Sequence, residues 1–341
     1  MNDEIGAAGS RRFVLGMSAL GALILMVIGG TACMTCMPGH NPRGALAPLT
    51  QRERTLHASL AADVRTLSVE IGERNVGHPR AYAAAADWTA SQLRQAGLQV
   101  HEESYVAGQT QARNVVGEIA GAAAKDQIVI VGAHYDSVEG TPGANDNASG
   151  IAALLALARH FAKSQPQRTL RFVAFANEEP PFFQTEQMGS LVYARGCAAR
   201  HENIVAMLAL ETMGYYSDAP NSQHYPFPFS LLYPSTGNFL AFVGNLSSQS
   251  LTREAVRTFR RAGKLPAEGA AVADVVPGIG WSDHWSFWRT DVPAVMVTDT
   301  APFRYAQYHE ETDTPEKLDF DRLARAVVGL ADVIEELSRA K

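Results

Sequence analysis

A three-layer α/β/α domain built on a mixed central sheet is the fold class this sequence predicts, and three observations predict it. Segments with apolar residues at helical spacing alternate along the chain with short strand-like runs. The run Gln127 to Ala133 shows no polar alternation, as expected of a strand covered by helices on both faces. With 341 residues, of which 46% are hydrophobic and 19% charged, the chain can bury a core of the necessary size in one domain.

Taken in order, the chain opens on a stretch unlike the rest. Arg11-Arg12 precede an apolar or small-residue run from Phe13 to Ala32, about 20 residues and roughly 30 Å long as a helix, enough to span a membrane. Positive charge ahead of that run places everything after it on the far side. Residues 1–36 are therefore expected to be a signal peptide or an N-terminal membrane anchor, the chain touching membrane only there. The remainder is expected to be exported: anchored with its folded part outside the cytoplasm, or secreted or periplasmic after cleavage. Gly30-Thr31-Ala32-Cys33 loosely resembles a lipoprotein cleavage box, and Ser10-Arg11-Arg12-Phe13 echoes a twin-arginine signal. Cys33 and Cys36 read as a chance pair near a signal, and Cys197 stands alone, so no disulfide framework is expected.

Residues 37–48 read as a Pro/Gly-containing linker, and 49–341 as the folded domain. Helical periodicity covers Leu49 to Ile71 and Ala81 to Ala96, the second stopped by Gly97. Strands are expected over Leu98 to Tyr105, Asn114 to Ile119, Gln127 to Ala133, Leu170 to Ala176 and Ile204 to Leu210, with helices over Ala148 to Ala162 and Gly189 to Arg200. Short strands follow at Ser230 to Tyr233 and Phe239 to Val243, then a helix Leu251 to Ala262, a strand Ala294 to Thr298 and a closing helix Glu316 to Ser338. The stretches Phe182 to Met188, Ser217 to Phe229, Leu265 to Trp281 and Pro302 to Tyr308 carry no regular pattern.

A net charge of −6 without a basic run excludes nucleic acid as a partner. Side chains suited to zinc stand instead at strand ends and in short polar turns: His134, Asp146, Glu179, Glu211 and His309. Open α/β sheets bind ligands outside the carboxyl ends of their strands, where His134, Glu178, Glu179 and Glu211 all fall. Asp146 lies in the small-residue turn GANDNASG, where a carboxylate caps a helix or spreads its two oxygens over two ions. Asp136 follows His134 by two positions, on the same side of an extended segment, so its carboxylate can accept from the ring nitrogen turned away from a metal. Glu178 and Glu179 emerge together from an apolar strand, where charge is costly unless paired or coordinated. One of them, Glu179, suits a metal and the other, Glu178, a general base acting on water.

These segments, GAHYDS, GANDNASG, the NEE after an apolar strand, the LE-x-MGY-like stretch, SDHWSF and YHEETDTPEKLD, resemble in order those of the bacterial co-catalytic double-zinc aminopeptidases, relatives of glutamate carboxypeptidase II, glutaminyl cyclases and the transferrin receptor ectodomain. The resemblance covers roughly residues 50 to 340. It implies the zinc-exopeptidase version of the fold, phosphorylase/hydrolase-like, with two zinc ions per chain and peptide or protein N-termini as substrates. By position it implies that His134 and His309 each end a different zinc site, that Asp146 bridges them, and that Glu179 and Glu211 complete one each. Glu178 matches the general base, Asp136 the carboxylate orienting His134, and Tyr308 a phenol that steadies the oxyanion in some members or is simply a packed aromatic. Glu211 stands where the best-known aminopeptidases have Asp.

The reading is a zinc metallopeptidase of aminopeptidase type. Its alternatives are a glutaminyl-cyclase-like acyltransferase, a carboxypeptidase or dipeptidase gripping a substrate carboxylate with Arg289 or Arg304, and a receptor-like ectodomain without catalysis. Ser137 and Ser149 lack a nucleophile-elbow motif. Asp283 is a candidate for shaping the substrate pocket, and Phe182, Phe183, Tyr215, Tyr216, Phe303 and Tyr305 are candidates for lining it.

Overall fold

The computed structural model describes residues 29–32 and 34–340. The chain divides into two compact units, residues 1–36 and 37–341. In the first, residues 29–32 and 34–35 are helical. The apolar run Phe13 to Ala32 lies almost wholly outside the described residues, and among those described no helix is long and apolar enough to cross a membrane.

The second unit is the expected three-layer domain. Its eight strands are β1 (Gln99–Ala107), β2 (Thr110–Ile119), β3 (Ala124–His134), β4 (Arg168–Phe175), β5 (Asn203–Glu211), β6 (Leu240–Asn245), β7 (Ala267–Val272) and β8 (Ala294–Thr298), joined in one sheet of order β1-β2-β4-β3-β5-β8-β6-β7. Strands β4, β3, β5 and β8 run parallel, β1 and β2 form an antiparallel hairpin at one side, and β6 lies antiparallel to β8. Because the central strands are parallel, their carboxyl ends open on one edge, and β3, β4 and β5 deliver there His134, the segment just before Glu178, and Glu211.

Period-two alternation explains why the central strands carry no polar face. Val129 and Val131 of β3, Leu170 and Phe172 of β4, and Leu208 and Leu210 of β5 enter the larger core. Their neighbours Ile130, Val173, Phe175 and Met207 enter a second core on the opposite side, with Tyr193, Cys197 and Phe287. The first core lies under helices α1 (Gln51–Arg65), α2 (Pro79–Ala96), α3 (Gly150–Phe161), α5 (Gln249–Ala262) and α7 (Phe320–Leu337), the second under α4 (Gly189–Ala199) and the short α6 (His284–Trp288). Helix α3 is apolar nearly all round because it packs between the sheet and α1, α2 and α7. Helix α1 starts at a capping box in which Thr50 and Glu53 bond each other's backbone N–H, and α2 ends at Gly97 in the left-handed region.

Several boundaries differ from the sequence reading. The segment Ser230 to Tyr233 is not a strand: a 3-10 turn at Phe229–Leu231 takes its place in the loop before β6. Strand β7 was hidden in the irregular stretch Leu265 to Trp281, because its Ala and Gly residues carry almost no β signal and it is recruited by pairing with β6. The closing helix begins at Phe320 with Asp319 as N-cap, and Pro315–Lys317 forms a separate 3-10 turn. Residues 37–48, read as a linker, lie against the domain. Arg260 donates to the Met37 carbonyl at 2.9 Å, Asn41 bonds both Glu268 and the Ala267 N–H, and Arg325 donates to Ala47.

Candidate metal centre

The candidate metal ligands and Glu178 meet at the carboxyl edge of the sheet. His134 is the last residue of β3 and is fully buried, Glu178 and Glu179 follow β4, and Glu211 ends β5. Asp146 comes from the turn ahead of α3, and His309 from the loop between β8 and α7. The Asp146 turn is locally fixed by crowding. Gly143 has φ +58°, and a Cβ there would stand 2.3 Å from the Asp146 carbonyl, while one on Gly150 would stand 2.2 Å from Asn147 Oδ1. Asn147 ties the turn to the end of β5, donating to the Leu210 carbonyl and accepting the Thr212 N–H.

The two oxygens of Asp146 face different imidazoles. Oδ1 lies 3.3 Å from His134 Nε2 and Oδ2 lies 3.2 Å from His309 Nε2. Each imidazole has a further carboxylate close by: Glu211 at 3.2 Å from His134 Nε2 and Glu179 at 3.5 Å from His309 Nε2. Two atoms sharing a tetrahedral zinc at about 2.0–2.1 Å stand about 3.3 Å apart, so these are separations at which neighbouring ligands of a cation stand. Ligand atoms of His134, Asp146 and Glu179 also lie within 4.8 Å of one another. His134 Nε2, Asp146 Oδ1 and Glu179 Oε1 are buried and have no hydrogen-bond partner among the described residues. Orphaned imidazole and carboxylate atoms converging at this spacing are the donor set zinc takes, so the residues present fit that metal.

The electrostatics say the same. Burial pushes the Glu178, Glu179 and Glu211 carboxyls above their ordinary range, and neighbouring carboxylates add to it. Burial opposes charge on His134, but the surrounding carboxylates, Glu178 and Glu211 foremost, outweigh it and raise that imidazole. Burial likewise opposes ionisation of Asp146, yet the two histidines hold its carboxyl below the usual range. Such a cage of buried acids is short of positive charge, a deficit that cations make up.

The expected orienting carboxylate is present with a modified geometry. Asp136 Oδ1 stands 3.6 Å from His134 Nδ1, whereas the Asp136 carbonyl is nearer at 3.2 Å. The Asp136 oxygens instead accept the backbone N–H groups of Glu178 at 3.2 Å and Glu179 at 3.1 Å, so this carboxylate also aims the acidic pair. Glu178 Oε2 lies 3.8 Å from His134 Nε2, on the rim of the cluster.

Sequence reasoning missed part of the supporting shell. Asp313, inside the quoted YHEETDTP segment, accepts the N–H groups of Asn145 and Asp146 and the Tyr305 hydroxyl. Burial pushes its carboxyl up to about 6. Its acidic character within a dense motif was the available signal. Ser282 donates to Glu211 Oε2 at 2.7 Å, and Arg74, an isolated arginine in a loop, gave no signal at all. Asp283 is fully buried beside Ser190, and burial pushes its carboxyl up to about 7.

Tyr308 stacks on His309, ring centroids 3.8 Å apart. Burial and the carboxylates around it keep its phenol protonated. With Glu211 it also borders an open apolar pocket walled by Tyr225, Phe229, Phe239, Trp281 and Phe303. Of the expected pocket aromatics only Phe303 lines this pocket, while Tyr215 and Tyr305 pack on each other at 4.7 Å. Arg304 is buried and donates to the Gly237 and Phe239 carbonyls and to Gln223, over the Phe239 ring.

The Peptidase family M28 model matches residues 114–334. The chain belongs to peptidase family M28. That family is one of zinc metallopeptidases, and the match spans His134, Asp146, Glu178, Glu179, Glu211 and His309. The uncharacterized protein YfbL of Escherichia coli K12 is 41% identical over 61% of this chain and 66% of its own length. A probable zinc metalloprotease of Pyrenophora tritici-repentis is 26% identical over 72% of this chain and 58% of its own length. The chain thus covers somewhat under two thirds of these relatives. Among solved structures, BSAP, a zinc aminopeptidase from Bacillus subtilis, superposes with a TM-score of 0.66 at 15% identity, over 84% of this chain and 95% of its own. A glutaminyl cyclase of Bacteroides thetaiotaomicron does so with 0.62 at 18% identity, over 85% and 99%. At these identities the likeness is one of fold.

Proposed function

We propose that this M28 chain is an exported zinc-dependent aminopeptidase, releasing N-terminal residues from peptides. The observation that carries the reading is the shared carboxylate: Asp146 presents one oxygen to His134 and the other to His309, and each imidazole has a further carboxylate close by. His134, Asp146 and Glu211 would hold one zinc, and His309, Asp146 and Glu179 a second. When bound, zinc polarises the scissile carbonyl and makes water acidic near neutral pH.

The protein's own groups do the rest. Glu178, buried beside the cluster and not needed as a ligand, takes the proton from the attacking water and returns it to the leaving amine, without a covalent intermediate. Tyr308 donates its phenolic hydrogen to the oxygen that gains charge, and Asp136 steadies both His134 and the backbone of the acidic pair. The apolar pocket beside Glu211 and Tyr308 takes the side chain of the substrate's first residue.

One observation favours the amino end: Arg304, offered as a carboxylate clamp, is buried, with its Nε bonded to Gln223 and its Nη1 to the Gly237 and Phe239 carbonyls. Export rests on Arg11-Arg12 ahead of the apolar run of residues 13–32, with 1–36 the targeting segment, and is tested by fractionating cells. The activity is tested by zinc analysis together with amino-acid p-nitroanilides, terminally blocked peptides and Gln-initiated peptides. Blocking the amino end is expected to abolish release, and blocking the carboxyl end to leave it intact. Pyroglutamate as the main product would replace this reading with that of a cyclase.

A further inference from the structure

Arg74 lies outside the residues matched by the family model, in the short segment between α1 and α2, and none of its surface reaches solvent. A buried guanidinium is expensive unless every donor is used. Here the donors go to carbonyl oxygens: Nε to Tyr135 at 2.7 Å, Nη1 to Pro142 at 2.6 Å and Nη2 to Gly143 at 2.8 Å. Its backbone exchanges bonds with Ser137 as well, Arg74 N–H to Ser137 Oγ and Ser137 N–H to the Arg74 carbonyl, both 3.2 Å. Asn75 adds a bond from Nδ2 to the Ser137 carbonyl at 3.1 Å.

Those carbonyls belong to one turn, residues 135–143, which leaves His134 and returns three residues before Asp146. The planar fork of Arg74 grips that turn at both ends at once, a geometry that lysine's single ammonium cannot reproduce. The carboxylates of Asp136, Asp313, Asp146 and Glu179 nearby favour its charged form. We infer that Arg74 is a positioning residue for the metal centre: by bonding the carbonyls of Tyr135 and Gly143 together it fixes the separation of His134 from Asp146, and through it the affinity for zinc. The inference rests on the zinc reading above.

Positioning and charge predict opposite signs. A fixed positive charge repels a cation, so if charge were its whole contribution, removing it would tighten zinc. If the fork positions the ligands, losing it weakens zinc even when the charge is kept.

The test measures zinc dissociation constants of the full chain by competition with a chromophoric chelator, for the wild type, Arg74→Lys and Arg74→Met. Melting temperatures are recorded with and without zinc. Both variants are expected to bind zinc about 10- to 100-fold more weakly, as when groups that orient metal ligands are lost. The gain in melting temperature on adding zinc should shrink in step. Wild-type affinity in Arg74→Lys with tighter binding in Arg74→Met would overturn the inference in favour of charge alone. Lower melting temperatures with unchanged zinc affinity would reduce Arg74 to a prop of the fold and overturn it equally. Should Arg74→Met not fold, Asn75→Ala removes one bond to the same turn and is expected to weaken zinc about threefold; unchanged affinity there and in Arg74→Lys counts against positioning. A wild-type chain that holds no zinc sinks the zinc reading itself, which separates the two failures.

Discussion

Asp146→Asn is the most informative single change, because Asp146 presents one oxygen to each imidazole. The substitution keeps size and shape but leaves one oxygen and turns an NH2 toward the other side. Each half of the centre now has its donors in threes: His134, Asp146 Oδ1 and Glu211, against His309, Asp146 Oδ2 and Glu179. Three protein donors plus an open position is the usual catalytic zinc arrangement. After substitution one half keeps three donors with a weaker neutral oxygen, and the other falls to two with a hydrogen-bond donor pointing inward. Loss of a group that merely orients a ligand costs about 10- to 100-fold in affinity. Loss of a ligand must exceed that, so the poorer half should weaken by more than about 100-fold, or about 2.7 kcal/mol at 1.36 kcal/mol per decade. The assay is zinc content by mass spectrometry after dialysis against a buffered chelator, and the expected result is about two zincs per chain in the wild type and about one in Asp146→Asn. A variant that retains both ions with wild-type affinity would show that Asp146 is not shared, and the reasoning from the 3.2–3.3 Å separations would fall with it.

Glu178→Gln is expected to keep its zinc and its KM while kcat falls about 10²- to 10⁴-fold, the usual share of a general base, measured by steady-state kinetics beside metal analysis. Tyr308→Phe preserves the stack on His309, so zinc content should not change, while kcat falls about 100-fold if the phenol serves the oxyanion; unchanged kcat assigns Tyr308 to packing. Far from the site, burial disfavours the charge of Glu202, but Arg171 and Arg200 outweigh it and hold its carboxyl down at about 2. A folded value below the unfolded one gives stability that is complete above about pH 4.5 and fades as pH falls toward 2. Glu202→Gln should therefore cost about 1–2 kcal/mol at pH 7, allowing for solvent screening, and almost nothing near pH 2. Urea titrations at the two pH values check this, and an equal loss at both removes the ion pairs as the cause.

Periodicity and punctuation carried most of the fold. The unalternated Gln127 to Ala133 became the central strand β3, and Gly97 ended α2 where expected. The failures share a cause. Strand β7 exists because β6 offers it a partner, and Ser230 to Tyr233 lacks one despite its apolar residues. Pairing between strands distant in sequence leaves no local trace.

The sequence by itself determined the donor types, because imidazole and carboxylate at strand ends limit the chemistry to a metal centre whatever the details of packing. It also determined that the central strands are covered on both faces, since an exposed face would show polar alternation. What the tertiary structure alone decided is which donor faces which. Asp146 is shared between His134 and His309 because β3, β4 and β5 end on one edge while the turn before α3 and the loop after β8 close over it. The supports, Arg74 on the 135–143 turn and Asp313 on the Asp146 backbone, act through backbone atoms that every residue possesses. Such contacts depend on where the chain passes rather than on what it is made of, so they exist only once the fold has brought the segments together.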